Sequence, residues 1–154
     1  MNAGLLDELQ LYPSPIANLI DQKTTTAIKR DKAGFLWIGT QRGLHRYNGN
    51  ALETFSSAND FKFWLPNSDI SGIELGENGE LWISSVGGGL ARYDYRSKIF
   101  ITPATVAPLG YLYIEKLLDS QDEYIWFGTR DSGVGAYNKV SQTYEEWLKT
   151  HPLN

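Results

Sequence analysis

One phrase, written three times, limits what this chain can fold into. It first appears as Phe35-Leu36-Trp37-Ile38-Gly39-Thr40 followed by Gly43-Leu44-His45-Arg46-Tyr47-Asn48. It returns as Leu81-Trp82-Ile83-Ser84-Ser85 with Gly89-Leu90-Ala91-Arg92-Tyr93-Asp94, and again as Ile125-Trp126-Phe127-Gly128-Thr129 with Gly133-Val134-Gly135-Ala136-Tyr137-Asn138. The tryptophans stand 45 and then 44 residues apart. A period of that length belongs to stacked supersecondary units, each unable to bury its apolar face alone.

The local pattern says what the unit is. Thr24 to Ile28 is rich in β-branched residues, Asp31-Lys32-Ala33-Gly34 supplies a turn, and Phe35 to Thr40 makes a second strand. Phe35, Leu36, Trp37 and Ile38 are apolar without alternation, which marks a strand covered on both faces. Leu44 to Tyr47 gives a third strand, Asn48-Gly49 reads as a two-residue hairpin turn, and Ala51 to Phe55 a fourth. The other copies keep this order, with Ile73 and Leu117 each nine residues before their tryptophan. Phe55, Phe100 and Tyr144 follow the repeat tyrosine by eight, seven and seven residues, which suggests one shared position.

Short strands in fours, buried on both faces, describe the blades of a β-propeller. The expected fold is therefore all-β: a partial propeller of three four-stranded antiparallel blades. The repeats span about 24–55, 70–100 and 112–144, within a unit of residues 24–154 that follows an N-terminal connector at 1–23. Three blades fall short of the roughly four to eight that close a ring, so the first and last blades expose faces made to be covered. A homodimer through those open blade edges, approximating a six-bladed ring, is the expected outcome, with aggregation as the alternative.

The phrase Asp31-x-x-Gly34-x-Leu36-Trp37-Ile38-Gly39-Thr40-x-x-Gly43-Leu44-x-Arg46-Tyr47-Asn48 resembles the two-component regulator propeller repeat. The second copy departs at Ser84-Ser85, where the family has Gly-Thr, and the third at Ala136, where it has Arg. The resemblance implies a sensory module of a membrane-bound bacterial signalling protein, on the periplasmic side and joined through a membrane helix to a histidine kinase or diguanylate cyclase output. Carbohydrate sensing by some members implies a carbohydrate-like small-molecule ligand. It implies no enzyme, no cofactor and no binding residues, because the motif positions are structural: Trp37, Trp82 and Trp126 pack between blades, while Gly39, Gly43, Gly128 and Gly133 permit turns or close approach. A catalytic propeller of the lyase or quinoprotein type and a plain protein-interaction platform are the alternatives. The Gly-His and Trp-Asp signature of the WD40 platforms is absent.

Composition and spacing set further limits. A net charge of −4, with Lys and Arg scattered singly, leaves no basic stripe for nucleic acid or an anionic membrane. No apolar run reaches the length of a spanning helix, and residues 1–7 lack the regions of a secretion signal, so this stretch reads as soluble. There is no cysteine for a disulfide or a thiolate metal site.

His45 and His151 are far apart in sequence, and Asp119, Asp122 and Glu123 lack calcium-loop spacing, so neither set implies a metal. The three acids read as a solvated turn. Glu145 and Glu146 are adjacent and point to opposite faces of a strand, which rules them out as an acid/base pair. The glycine-rich stretches 85–89 and 128–133 are followed by strands rather than helices, so they read as turns and not phosphate cradles. No nucleophile elbow is present. Phe61-Lys62-Phe63-Trp64 and Tyr111-Leu112-Tyr113 read as plugs between sheets. Arg46 and Arg92, at one repeat position, read as structural donors to the next blade.

Overall fold

A computed structural model describes residues 16, 20, 24–57, 65–103, 113–120 and 122–146. It contains three separate four-stranded antiparallel sheets, each ordered as in the chain. The first holds β1 (Thr25–Arg30), β2 (Leu36–Thr40), β3 (Gly43–Tyr47) and β4 (Leu52–Phe55). The second holds β5 (Ile70–Leu75), β6 (Leu81–Ser85), β7 (Gly89–Asp94) and β8 (Ile99–Ile101). The third holds β9 (Ile114–Asp119), β10 (Tyr124–Thr129), β11 (Val134–Asn138) and β12 (Thr143–Glu146). The first strand of each sheet lies against the first strand of the next, β1 on β5 and β5 on β9, as propeller blades gather round an axis.

The apolar core lies between sheets. Trp37, Leu44 and Phe55 of the first pack on Ile70, Ile73, Ile83 and Tyr93 of the second. Trp82 and Leu90 of the second pack on Ile114, Ile125, Phe127 and Tyr137 of the third. Trp37 and Trp82 thus each pack on the sheet that follows, and the surroundings of the repeat tryptophan depend on whether one does. Trp37 is 0 % exposed and Trp82 3 %. Trp126 is only half-buried, contrary to the expectation that all three pack between blades, because no described sheet lies beyond β10.

Two local expectations change. Asn48-Gly49 is not a two-residue turn: Tyr47 pairs with Leu52, so four residues intervene, and Asn48 Oδ1 accepts from the N–H groups of Asn50 (2.9 Å) and Ala51 (2.7 Å). The side-chain acceptor organises the turn from within, and Gly49 supplies the positive φ of 97°. The second change follows from the first. Tyr93 pairs with Phe100 and Tyr137 with Tyr144, six residues intervening each time, whereas the shorter first loop places Leu52 opposite Tyr47. Phe55 therefore lies opposite Leu44, not at the position of Phe100 and Tyr144.

Candidate functional site

The two joints between sheets are built from equivalent positions and filled differently. At the first joint Asp31 closes the β1–β2 turn: its N–H donates to Phe35 O (2.9 Å), and its Oδ1 accepts from the Phe35 N–H (2.9 Å). The other oxygen, Oδ2, accepts from Trp37 Nε1 (2.8 Å) and from the Tyr95 hydroxyl of the second sheet (3.0 Å). Burial and the Asp31 carboxylate push the Tyr95 phenol well above its ordinary range, so it stays a donor. Arg46 lies 4.8 Å from the centre of Phe35 and 5.5 Å from that of Trp37. It donates across the joint to the Tyr93 hydroxyl (3.2 Å) and pairs with Glu53 of its own sheet. Phe55 stacks on Trp37 at 5.8 Å. None of the buried side-chain polar atoms in this plug lacks a partner, as buried polar groups require.

The second joint replaces the plug position by position. Gly76 closes its turn with the same bonds as Asp31, its N–H to Glu80 O (2.8 Å) and the Gly79 N–H to its own O (2.8 Å), so Gly76 corresponds to Asp31 and Glu80 to Phe35. Pro103, past the end of β8, stands where the pairing puts Phe55. Asp94 and Asn138 each accept two backbone N–H bonds in matching turns, which equates Lys139 with Tyr95. The carboxylate and three aromatic rings are thus replaced by Gly, Glu, Pro and Lys.

A cavity of about 440 Å³ remains, lined by Glu80, Trp82, Arg92, Pro103, Tyr137 and Lys139 among others, within the size range of small-molecule sites. Trp82 Nε1, buried, has no hydrogen-bond partner, the direct result of losing the Asp31 carboxylate. Arg92 approaches Glu80 no closer than 3.9 Å and does not repeat the cross-joint bond of Arg46, which corrects the expectation of a common structural role. Lys139 Nζ binds both oxygens of Asp119 (3.2 and 3.1 Å). Asp119 is therefore a buried, paired acid rather than part of a solvated turn. Burial raises the Tyr137 hydroxyl above its ordinary pKa, with the nearby Arg92 opposing in part.

Other candidates disperse. His45 is buried, with Nδ1 2.9 Å from Thr54 Oγ1 and Nε2 3.3 Å from Thr40 Oγ1, and desolvation holds its pKa below 6.5. Asp122 accepts from Ser120 Oγ and from the Tyr124 N–H within a turn. Among the described residues no group of three or more His, Cys, Asp or Glu could hold a metal ion. In the 85–89 stretch the Gly88 N–H donates to Ser85 O, and in the 128–133 stretch the Thr129 N–H donates to Gly133 O, so these amides are spent on turns. Tyr113 is exposed rather than a plug, and Arg130 lies 5.6 Å from its ring centre. His151, residues 61–64, Tyr111 and Leu112 lie outside the described residues, as does the side chain of Glu146. Sequence reasoning missed the cavity, although a signal was present: aligning the copies column by column sets Asp31 against Gly76 and Tyr95 against Lys139.

The family model described as "Two component regulator propeller" matches residues 18–42. No curated protein is significantly similar. The extracellular domain of BT4673 from B. thetaiotaomicron superposes with a TM-score of 0.67 at 22 % identity, over 83 % of this chain and 18 % of that one. The extracellular domain of the hybrid two component system BT3049 from the same organism gives 0.73 at 17 % identity, over 85 % and 19 %. Virginiamycin B lyase from Staphylococcus aureus gives 0.61 at 17 % identity, over 88 % and 43 %. The chain thus spans less than a fifth of either extracellular domain. These likenesses bear out the all-β propeller architecture, and residues 18–42 carry the two-component regulator propeller repeat.

Proposed function

We propose that this chain is part of the sensory region of a membrane-bound bacterial signalling protein, a non-catalytic propeller scaffold on the periplasmic side that recognises a small polar molecule. The carbohydrate-like ligand implied by the family falls within that class. The observation that carries the reading is the repeat match at residues 18–42, joined to a fold shared with two extracellular domains, one of them from a hybrid two component system. The cavity between the second and third sheets is the place for recognition, because it has ligand-sized volume and is bordered by the charged side chains of Glu80, Arg92 and Lys139.

The likeness to a lyase supports only a common scaffold at 17 % identity. Against a catalytic role, Asp31 and Asp122 close turns, Asp119 pairs with Lys139, and His45 is held between Thr40 and Thr54.

Determining the complete reading frame tests the signalling role. The expected frame continues from the propeller into a membrane-spanning helix and a histidine kinase or diguanylate cyclase domain. A frame encoding only a closed propeller with no output domain would overturn it.

A further inference from the structure

Arg46 and Arg92 hold one position of the repeat, each paired across the sheet with its tryptophan, Trp37 and Trp82. Their partners on the next strand differ: Arg46 stands opposite Glu53, and Arg92 opposite Ile101. The first guanidinium is well supplied. It pairs with Glu53 through Nη2, donates through Nη1 to the Tyr93 hydroxyl, and lies against the rings of Phe35, Trp37, Phe55 and Tyr93. Its side chain is only 16 % exposed.

At the second joint the same cation has lost most of that company. Ile101 brings no charge where Glu53 stood, while Glu80 takes the place of Phe35 and Pro103 that of Phe55. Glu80 comes no closer to Arg92 than 3.9 Å, beyond hydrogen-bond distance, and at 30 % exposure it can turn to solvent. The charge of Lys139, on the same wall, is taken up by Asp119. Arg92 itself is 38 % exposed and borders the cavity with Trp82, Ile101, Pro103 and Tyr137. Compared with Arg46, it lacks a carboxylate and the two rings beside it. A guanidinium grips a carboxylate through parallel N–H bonds, and a flat ring packs well against aromatic side chains.

We propose that this cavity binds a small aromatic carboxylate, its carboxylate on Arg92 as Glu53 sits on Arg46, and its ring among Ile101, Pro103 and Tyr137 in the space given up by Phe35 and Phe55. The proposal rests on the reading that the cavity is the recognition site, and it narrows that reading to one chemistry.

The test follows the Arg92 Nε–H resonance of the ¹⁵N-labelled chain, assigned by its loss in Arg92→Gln, during titration with sodium benzoate, benzamide, sodium acetate or xylitol. Benzoate is expected to shift it saturably in the millimolar range. Benzamide keeps the ring without the charge and acetate the charge without the ring, so each is expected to bind about tenfold more weakly. Ile101→Glu gives Arg92 the carboxylate that Arg46 already has, and is expected to abolish the benzoate shift while the remaining spectrum stays dispersed. Benzamide or acetate binding as tightly as benzoate, or undiminished benzoate binding by Ile101→Glu, overturns the assignment. A shift with xylitol alone overturns the aromatic carboxylate but leaves a ligand site standing. No shift with any of the four overturns both the proposal and the cavity as a recognition site.

Discussion

Trp37 and Trp126 occupy one position of the repeat in different surroundings. The first is fully enclosed, its indole tied to Asp31 and its ring stacked on Phe55 and edge-on to Tyr93. The second is half-buried and lies 5.9 Å from the ring of Tyr124 in its own strand. The cost of truncating a core aromatic scales with the contacts and cavity left behind. Trp37→Ala is therefore expected to lose about 3 to 5 kcal/mol and Trp126→Ala about 1 to 2. Urea denaturation at low micromolar concentration, where association is suppressed, measures both; equal losses would contradict the difference in packing. The repeated phrase made the tryptophan position legible in the sequence but not its burial, because burial depends on the neighbouring sheet rather than on the repeat itself.

Glycine in the second strand of the first and third units makes the same point for an element. At Gly39 a Cβ would stand 2.7 Å from Ile70 Cγ2, since β5 crosses close against β2 at that point. At Gly128 the nearest atom would be Lys116 Cβ at 4.0 Å, so nothing demands the glycine that the repeat retains there. Gly39→Ala is expected to cost about 1 to 3 kcal/mol through overpacking, and Gly128→Ala to fall within about 0.5 kcal/mol of the parent. Thermal unfolding of the two variants decides it, and a Gly39→Ala protein as stable as the parent would show that the sheets can separate without penalty. Strand order and position were readable from alternating turns and apolar runs. The pairing in β4 was not, because a four-residue loop organised by Asn48 and a two-residue turn begin with the same Asn-Gly. The cavity escaped for a related reason: a hollow made by substitutions at structural positions leaves no motif of its own, only mismatches between copies such as Glu80 for Phe35 and Lys139 for Tyr95.

Among the described residues, the first and third sheets each expose apolar side chains on their outer faces. Ile28, equivalent to the buried Ile73, is 56 % exposed on the first sheet, and Leu118 is 59 % and Val134 37 % exposed on the third. We propose that two chains cover these faces for one another, the third sheet of each on the first sheet of its partner, as a closed two-fold assembly. Sedimentation equilibrium at high micromolar concentration is expected to give twice the chain mass of 17.3 kDa, and Leu118→Glu to return the single mass. A parent that stays monomeric there would refute the arrangement. Whatever its state of assembly, the arc is unevenly braced. Lys29 reaches Glu74 at 3.0 Å and Tyr95 reaches Asp31 across the first joint, whereas Leu118 stands where Glu74 would be and Gly76 where Asp31 would be, so neither tie can recur at the second. Sheets two and three are joined instead by a backbone bridge between Val86 and Tyr113, so the two seams of the arc are held by different means, side chains at one and main chain at the other.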